Sequence, residues 1–198
     1  MSETTSEKIL LSIVIPAWNE SEVIEELSIR LQKLMDKIEK YHFEVIIVDN
    51  GSWDKTWEKL TSLNAVDPRF KIVQLTRNFT ADGAVQAGLD LAKGEAAIMM
   101  DADLQDPPEL IEKFLSEWEK GSEVVLGSIQ SRQGESLSKQ LLSRLYYSII
   151  HRMTRGMVPE NVTGFRLMDK KVYNLLNSMQ EHNRFTRGLS SWAGFRCT

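Results

Sequence analysis

A single cysteine, Cys197, stands in 198 residues, which excludes an internal disulfide and suits a reducing compartment. Histidine is almost as scarce. His42, His151 and His182 are scattered and lack the spacing of a zinc site. No stretch approaches the ~18 uninterrupted apolar residues of a membrane span. Positive charge is not in excess either: 24 Lys and Arg face 28 Asp and Glu, a net charge of −4. That balance, with a pI of about 5.5, argues against a nucleic-acid partner. Two phosphate-binding signatures are also missing. No GxxxxGK[ST] occurs and no GxGxxG follows a strand, so a P-loop ATPase or a dinucleotide oxidoreductase is disfavoured. Residues Met1 to Lys8 are polar and mixed in charge; they are read as a flexible N-terminus and not as a signal peptide.

Hydrophobic residues make up 42% and charged residues 26%, enough to build a core in one domain over residues 9–198. Short apolar runs predict strands at Leu10–Ile15, Phe43–Val48, Lys71–Leu75, Ala96–Met100 and Val124–Gly127. Between them, helical periodicity or composition predicts helices at about Ser21–Lys40, Asp54–Leu63, Asp82–Ala92 and Pro108–Lys120, the last with proline in its first turn. The alternation argues for an α/β protein with a parallel sheet flanked by helices. Its strands are continuous apolar runs, as expected when both faces are covered.

Polar groups follow nearly every strand: Pro16-Ala17-Trp18-Asn19-Glu20, Asp49-Asn50-Gly51-Ser52, Arg77-Asn78 and Asp101-Ala102-Asp103. In such a sheet these segments gather at one edge, where ligands collect. Turns alone account for aspartate and proline, but not for acids after strand upon strand. Asp101 and Asp103, one residue apart, point the same way while the chain stays extended. They can share a hard cation, Mg²⁺ or Mn²⁺, or divide between a cation and a sugar hydroxyl. Such an ion would neutralise a diphosphate leaving group.

The stretches IVIPAWNE, VIIVDNGSWDKT, RNF with AGLDLAKGE, MMDADLQDPPE, and GFRLMDKKV followed by RFTRGLSSWAGF resemble the family 2 glycosyltransferases. Their order over most of the chain is similar to the branch that glycosylates polyprenyl phosphates, bactoprenol glucosyltransferases and dolichol-phosphate mannose synthases. The resemblance implies a GT-A fold, Rossmann-like with a mostly parallel sheet, and inverting transfer from a nucleotide sugar, UDP-linked, to polyprenyl phosphate. It implies a nucleotide site of Pro16, Trp18, Glu20, Asp49, Arg77, Asp101 and Ala102. Asp101, Asp103 and Gln105 would hold the metal. Asp103, Arg166 and Arg132 would serve the reaction, the arginines at the acceptor phosphate. A phosphomonoester is largely dianionic at neutral pH, with its second pKa near ~6. Such an acceptor needs cations to hold it in line, and no general base.

A lipid-linked acceptor calls for a membrane-facing surface. Leu137, Leu141, Leu142, Leu145, Tyr146, Ile149, Ile150 and Met153 form one helical stripe, with Lys139, Arg144, Arg152 and Arg155 beside it. A stripe over 137–155 is compatible with peripheral contact at the inner face of a cytoplasmic membrane and equally with a core helix. Three departures from the family pattern stand out. Asn50 replaces the second acid before Gly-Ser. Gly164 stands where many bactoprenol members have aspartate. Those members also continue into two C-terminal membrane helices, whereas this sequence stops at Thr198, as an excised catalytic domain or a short form would. Two alternatives therefore accompany the main reading: a glycan or protein acceptor, and an inactive domain that binds nucleotide or a partner.

Overall fold

A computed structural model describes residues 8–128, 162–179, 188–190 and 193–198. Arg132 and the 137–155 stripe lie outside the described residues. The elements run β1 (Ile9–Ala17), α1 (Ile24–Lys37), β2 (Tyr41–Asp49), α2 (Thr56–Val66), β3 (Phe70–Gln74), α3 (Thr80–Leu91), β4 (Ala96–Met99), a 3₁₀ turn (Pro108–Leu110), α4 (Ile111–Glu119), β5 (Val124–Ser128), β6 (Val162–Asp169) and α5 (Lys170–Ser178).

One six-stranded sheet has the order β3-β2-β1-β4-β6-β5. β1 pairs in parallel with β2 and β4, and β2 with β3. β6 is antiparallel to both of its neighbours. The sheet is thus mostly parallel, as the sequence led one to expect, with β6 the antiparallel member. β6 escapes periodicity because Gly164 and Arg166 interrupt its apolar run, VTGFRLMD. The helix predicted over Pro108–Lys120 divides into the 3₁₀ turn and α4.

The strands read as unbroken apolar runs because both of their faces are covered. Leu11, Ile13, Ile15, Val45, Ile47, Ile98, Phe165 and Leu167 pack with α1 and α4 through Leu27, Leu31, Ile111 and Phe114. Val14, Ala97, Met99 and Met168 pack on the other face with Val85 and Leu89 of α3 and Val172 and Tyr173 of α5. Each large aliphatic side chain buried in this way contributes about 1.5–3 kcal/mol. α3 lies unusually close to β1. A Cβ at Gly88 would come within 2.4 Å of Val14 Cγ1, so only glycine allows that approach. At the outer edge of β5, Glu123 and Val124 N–H donate to Arg196 O, Leu126 N–H donates to Thr198 O, and Thr198 N–H donates to Val124 O. The short segment 196–198 thereby covers that edge.

Successive crossovers carry β1 to β2 to β3 in one direction, and β4 returns to the opposite side of β1. The strand order therefore reverses between β1 and β4. A crevice opens there at the carboxyl ends of the strands, as it does in open parallel sheets.

Candidate active site

Two adjoining cavities occupy that crevice. The first, about 240 Å³, is lined by Trp18 and Glu20 from the loop after β1, Asn50 after β2, Asn78 after β3, and Asp101 and Asp103 after β4. Pro16 and Ala102 complete walls of it. The second, about 330 Å³, shares Pro16, Ala81 and Asp101 with the first and reaches Thr80, Asp82, Met99 and Gly164. Six predicted positions, Pro16, Trp18, Glu20, Asp101, Ala102 and Asp103, thus line one cleft, because the loops leave neighbouring strands in the same direction.

The loops after β1 and β2 are laced together. Asn19 N–H donates to Ser52 Oγ (2.9 Å), Trp53 N–H to Asn19 Oδ1 (3.1 Å), Glu20 N–H to Thr56 Oγ1 (2.9 Å) and Ser21 N–H to Asp54 Oδ2 (3.2 Å). Burial by itself would raise the Asp54 carboxyl. Hydrogen bonds from Thr56 and from Ser21 outweigh it and hold the group at about 2. Trp18 and Trp53, carried by these two loops, meet edge to face with ring centroids 4.9 Å apart.

Asn50 joins a third loop to the second. Its Nδ2 donates to Asn78 Oδ1 (3.2 Å) and Thr80 O (3.0 Å), and its Oδ1 accepts from Phe79 N–H (2.9 Å). An aspartate could accept the last bond but could not donate the other two. The departure from the two-acid pattern thus has a structural reason. Next to it, Gly51 has φ +74°, and a Cβ there would meet Arg77 backbone atoms at 2.7 Å.

Charge is concentrated in the first cavity. Burial raises the Glu20 carboxyl above its usual range, and the negative charges of Asp103, Asp54 and Asp101 raise it further. Among the described residues no three carboxylate, histidine or cysteine groups converge as a ready-made metal cage. Asp101 and Asp103 are the pair that could hold a divalent cation together with waters and a substrate's phosphates. Asp103 Oδ1 also accepts from Gln105 N–H (3.1 Å), while the Gln105 side chain is exposed and lines neither cavity.

Three other predicted residues stand back from the cleft surface. Asp49 is fully buried, its carboxylate accepting from Ser52 N–H and Gln74 Nε2, both at 3.1 Å. Arg77 is exposed, and its guanidinium lies 4.0 Å from the centroid of the Phe79 ring. Arg166 is 1% exposed. It donates to Ser190 Oγ (2.7 Å) and Thr163 O (3.0 Å), one pleat behind Gly164 and in register with Met99.

The described residues hold three non-glycine positions in left-handed backbone: Asn19 (φ 58°), Thr80 (φ 69°) and Leu104 (φ 59°). All three border the cleft, one in each of three loops. Such backbone costs energy and collects at functional sites, most notably for a β-branched residue such as Thr80. Thr80, Asp82 and Asp54 are site residues that the motif reading does not assign. Only the placement of an acid within a loop–helix junction, seen for Asp54 and Asp82, hints at them in the sequence.

The family model described as Glycosyl transferase family 2 matches residues 12–176. An uncharacterized glycosyltransferase of Synechocystis is 44% identical over 188 residues, covering 95% of this chain and 59% of the relative. A prophage bactoprenol glucosyl transferase homolog of Escherichia coli K12 is 33% identical over 184 residues, covering 93% of this chain and 60% of the relative. The chain thus spans about three fifths of the length of these curated relatives. Among solved structures, a mannosyltransferase of Pyrobaculum calidifontis, in complex with GDP-Man and Mn²⁺, aligns with TM-score 0.62 at 18% identity, over 97% of this chain and 55% of that one. Glucosyl-3-phosphoglycerate synthase of Mycobacterium tuberculosis, with Mn²⁺, UDP-Glc and phosphoglyceric acid, aligns with TM-score 0.61 at 20% identity, over 83% of this chain and 58% of that one. These likenesses bear out the GT-A fold expected from the sequence.

Proposed function

The chain belongs to glycosyl transferase family 2, and from that membership we propose that it transfers a sugar, with inversion, from a UDP-linked donor to polyprenyl phosphate. The observation that carries the reading is the gathering of Asp101, Asp103 and Glu20 on one cleft at the strand-order reversal. Burial first, and then the negative charges of Asp103, Asp54 and Asp101, raise the Glu20 carboxyl; a divalent cation would relieve the charge part of that load. Asp101 and Asp103 are the residues that would hold Mg²⁺ or Mn²⁺, with Gln105 beside them on the same turn. The ion would supply positive charge against the departing diphosphate.

The protein's own groups position the reactants. Trp18 and Pro16 form the wall on which the nucleoside lies, and Asp49 stiffens the turn that presents Asn50 and Ser52 to it. Arg166 lies behind the Gly164 wall and contributes positive charge on the side from which a phosphate acceptor approaches, with Arg132 as its expected companion. The bactoprenol names of relatives at about one third identity support this acceptor. Membrane contact through 137–155 and a site at the inner face of the cell membrane belong to the same proposal. No helix among the described residues is long and apolar enough to cross a membrane.

Thermal unfolding with UDP, GDP, CDP and dTDP, each with and without Mn²⁺, tests the donor half. A nucleotide at about 100 times its dissociation constant adds about 2.7 kcal/mol, and the expected result is a metal-dependent rise with UDP that Asp103→Ala abolishes. A rise that is unchanged in Asp103→Ala removes Asp103 from the metal site. No rise with any nucleotide overturns the reading. The inactive-domain alternative keeps one observation, Gly164. Transfer of labelled sugar to polyprenyl phosphate by Gly164→Asp and not by the parent chain would favour it.

A further inference from the structure

Thr56, the first residue of α2, is fully buried, and its hydroxyl is engaged twice. It donates to Asp54 Oδ1 (2.6 Å) and accepts from Glu20 N–H (2.9 Å), 36 residues earlier in the chain. A hydroxyl has one hydrogen. Because Asp54 takes that hydrogen, a lone pair is turned to the Glu20 amide. The bond from Thr56 N–H to Asp54 Oδ1 (2.9 Å) is what a local turn at a helix start makes. The bond to the loop after β1 is not local, and a helix start does not call for it.

The same turn grips the next residue from both sides. Ser21 N–H donates to Asp54 Oδ2 (3.2 Å), and Lys59 Nζ donates to Ser21 O (2.6 Å). Glu20 O accepts in turn from Val23 N–H (3.0 Å) and Ile24 N–H (3.2 Å) at the head of α1. Residues 20 and 21 are thus pinned between two helix starts. Such pinning has something to oppose. Glu20 shares the first cavity with Asp101 and Asp103, where like charges repel it, and it follows Asn19, which is in left-handed backbone. Both features favour relaxation of the loop away from the cleft, and the bonds from Thr56 and Asp54 resist it.

We propose that Thr56 is a positioning residue for the nucleotide-sugar site: its hydroxyl, oriented by Asp54, sets where the loop after β1 presents Trp18 and Glu20 to the donor. The inference rests on the donor reading above and adds a residue that lines neither cavity. Thr56 acts through the loop and touches no reactant.

Calorimetric titration of the full chain with UDP in Mn²⁺, and with GDP in parallel, tests it at a temperature well below each variant's thermal midpoint. Thr56→Val keeps the shape and removes the hydroxyl, whereas Thr56→Ser keeps the hydroxyl. Loss of one buried hydrogen bond should weaken the nucleotide between about threefold and tenfold in Thr56→Val. Thr56→Ser should bind within about twofold of the parent, as should Thr61→Val, an exposed site on the same helix whose hydroxyl bonds only to Trp57 O. A folded Thr56→Val with parental affinity overturns the assignment. So does an equal loss in Thr56→Ser, which would trace the effect to the methyl group. Should Thr56→Val not fold, Asp54→Asn replaces it, since asparagine offers one acceptor oxygen where Asp54 uses two; parental affinity there overturns the assignment as well. Those results leave the donor reading intact. A parent chain that binds neither nucleotide sinks the donor reading itself and this inference with it.

Discussion

Asn50 shows how a single atom can decide between two interpretations. As a departure from a two-acid motif it suggests lost function. In the structure its amide donates twice and accepts once between loops, a task that a carboxylate cannot perform. Asn50→Asp should lower stability by about 1–3 kcal/mol, read by urea unfolding, because Thr80 O loses its donor and faces a new charge. A variant as stable as the parent would show that the strap is dispensable. Arg166 carries the opposite lesson. Its motif is plain in the sequence, but its burial depends on Ser190 and on carbonyls of its own strand, and no spacing rule reveals that. Asp82 and Thr80 escape a motif reading for a related reason. Their cavity is closed by Gly164, contributed by a strand far along the chain, so neither residue looks like a site in isolation.

Among elements, those with one uniform surrounding were the legible ones. β1, β2 and β4 are sandwiched between helices and read as apolar runs. α1 buries one face, Ile24, Leu27, Leu31 and Leu34, and reads as a periodic helix. β6 carries a glycine and a buried arginine because it borders the cleft, and the same features hide it from pattern analysis. α3 comes close to the sheet because Gly88 has no side chain where Val14 approaches it, and Val85 and Leu89 pack on either side. Replacing Gly88 with alanine would force a methyl against Val14 Cγ1, and Gly88→Ala should cost about 1–3 kcal/mol. Because α3 begins at Thr80 and Asp82, the shift should also reach the second cavity. A thermal midpoint equal to the parent's would mean that the helix can ride outward freely.

Across the whole molecule, the cleft end concentrates negative charge, and that governs its response to pH. Glu20 titrates above the ordinary 4.5 because of burial first, then Asp103, Asp54 and Asp101. Its folded form thus retains a proton that the unfolded chain releases, and stability from this group declines as pH rises from 4.5 through the raised value. A divalent cation competes with that proton, so Mn²⁺ affinity should strengthen over the same interval, with proton release on binding. Asp54, held at about 2, stays ionised throughout and adds no slope there. Mn²⁺ titrations in nucleotide between about pH 4.5 and 7 provide the check, and a flat affinity would detach Glu20 from the cation's field.

The far edge of the sheet is governed by a different danger. An uncovered strand is a template for another chain's backbone, and β5 would be more nearly one without Arg196 and Thr198, whose backbones hydrogen-bond along it. Segment 196–198 thus occupies backbone groups that would otherwise stand open, leaving a passing strand fewer donors and acceptors on β5 to claim.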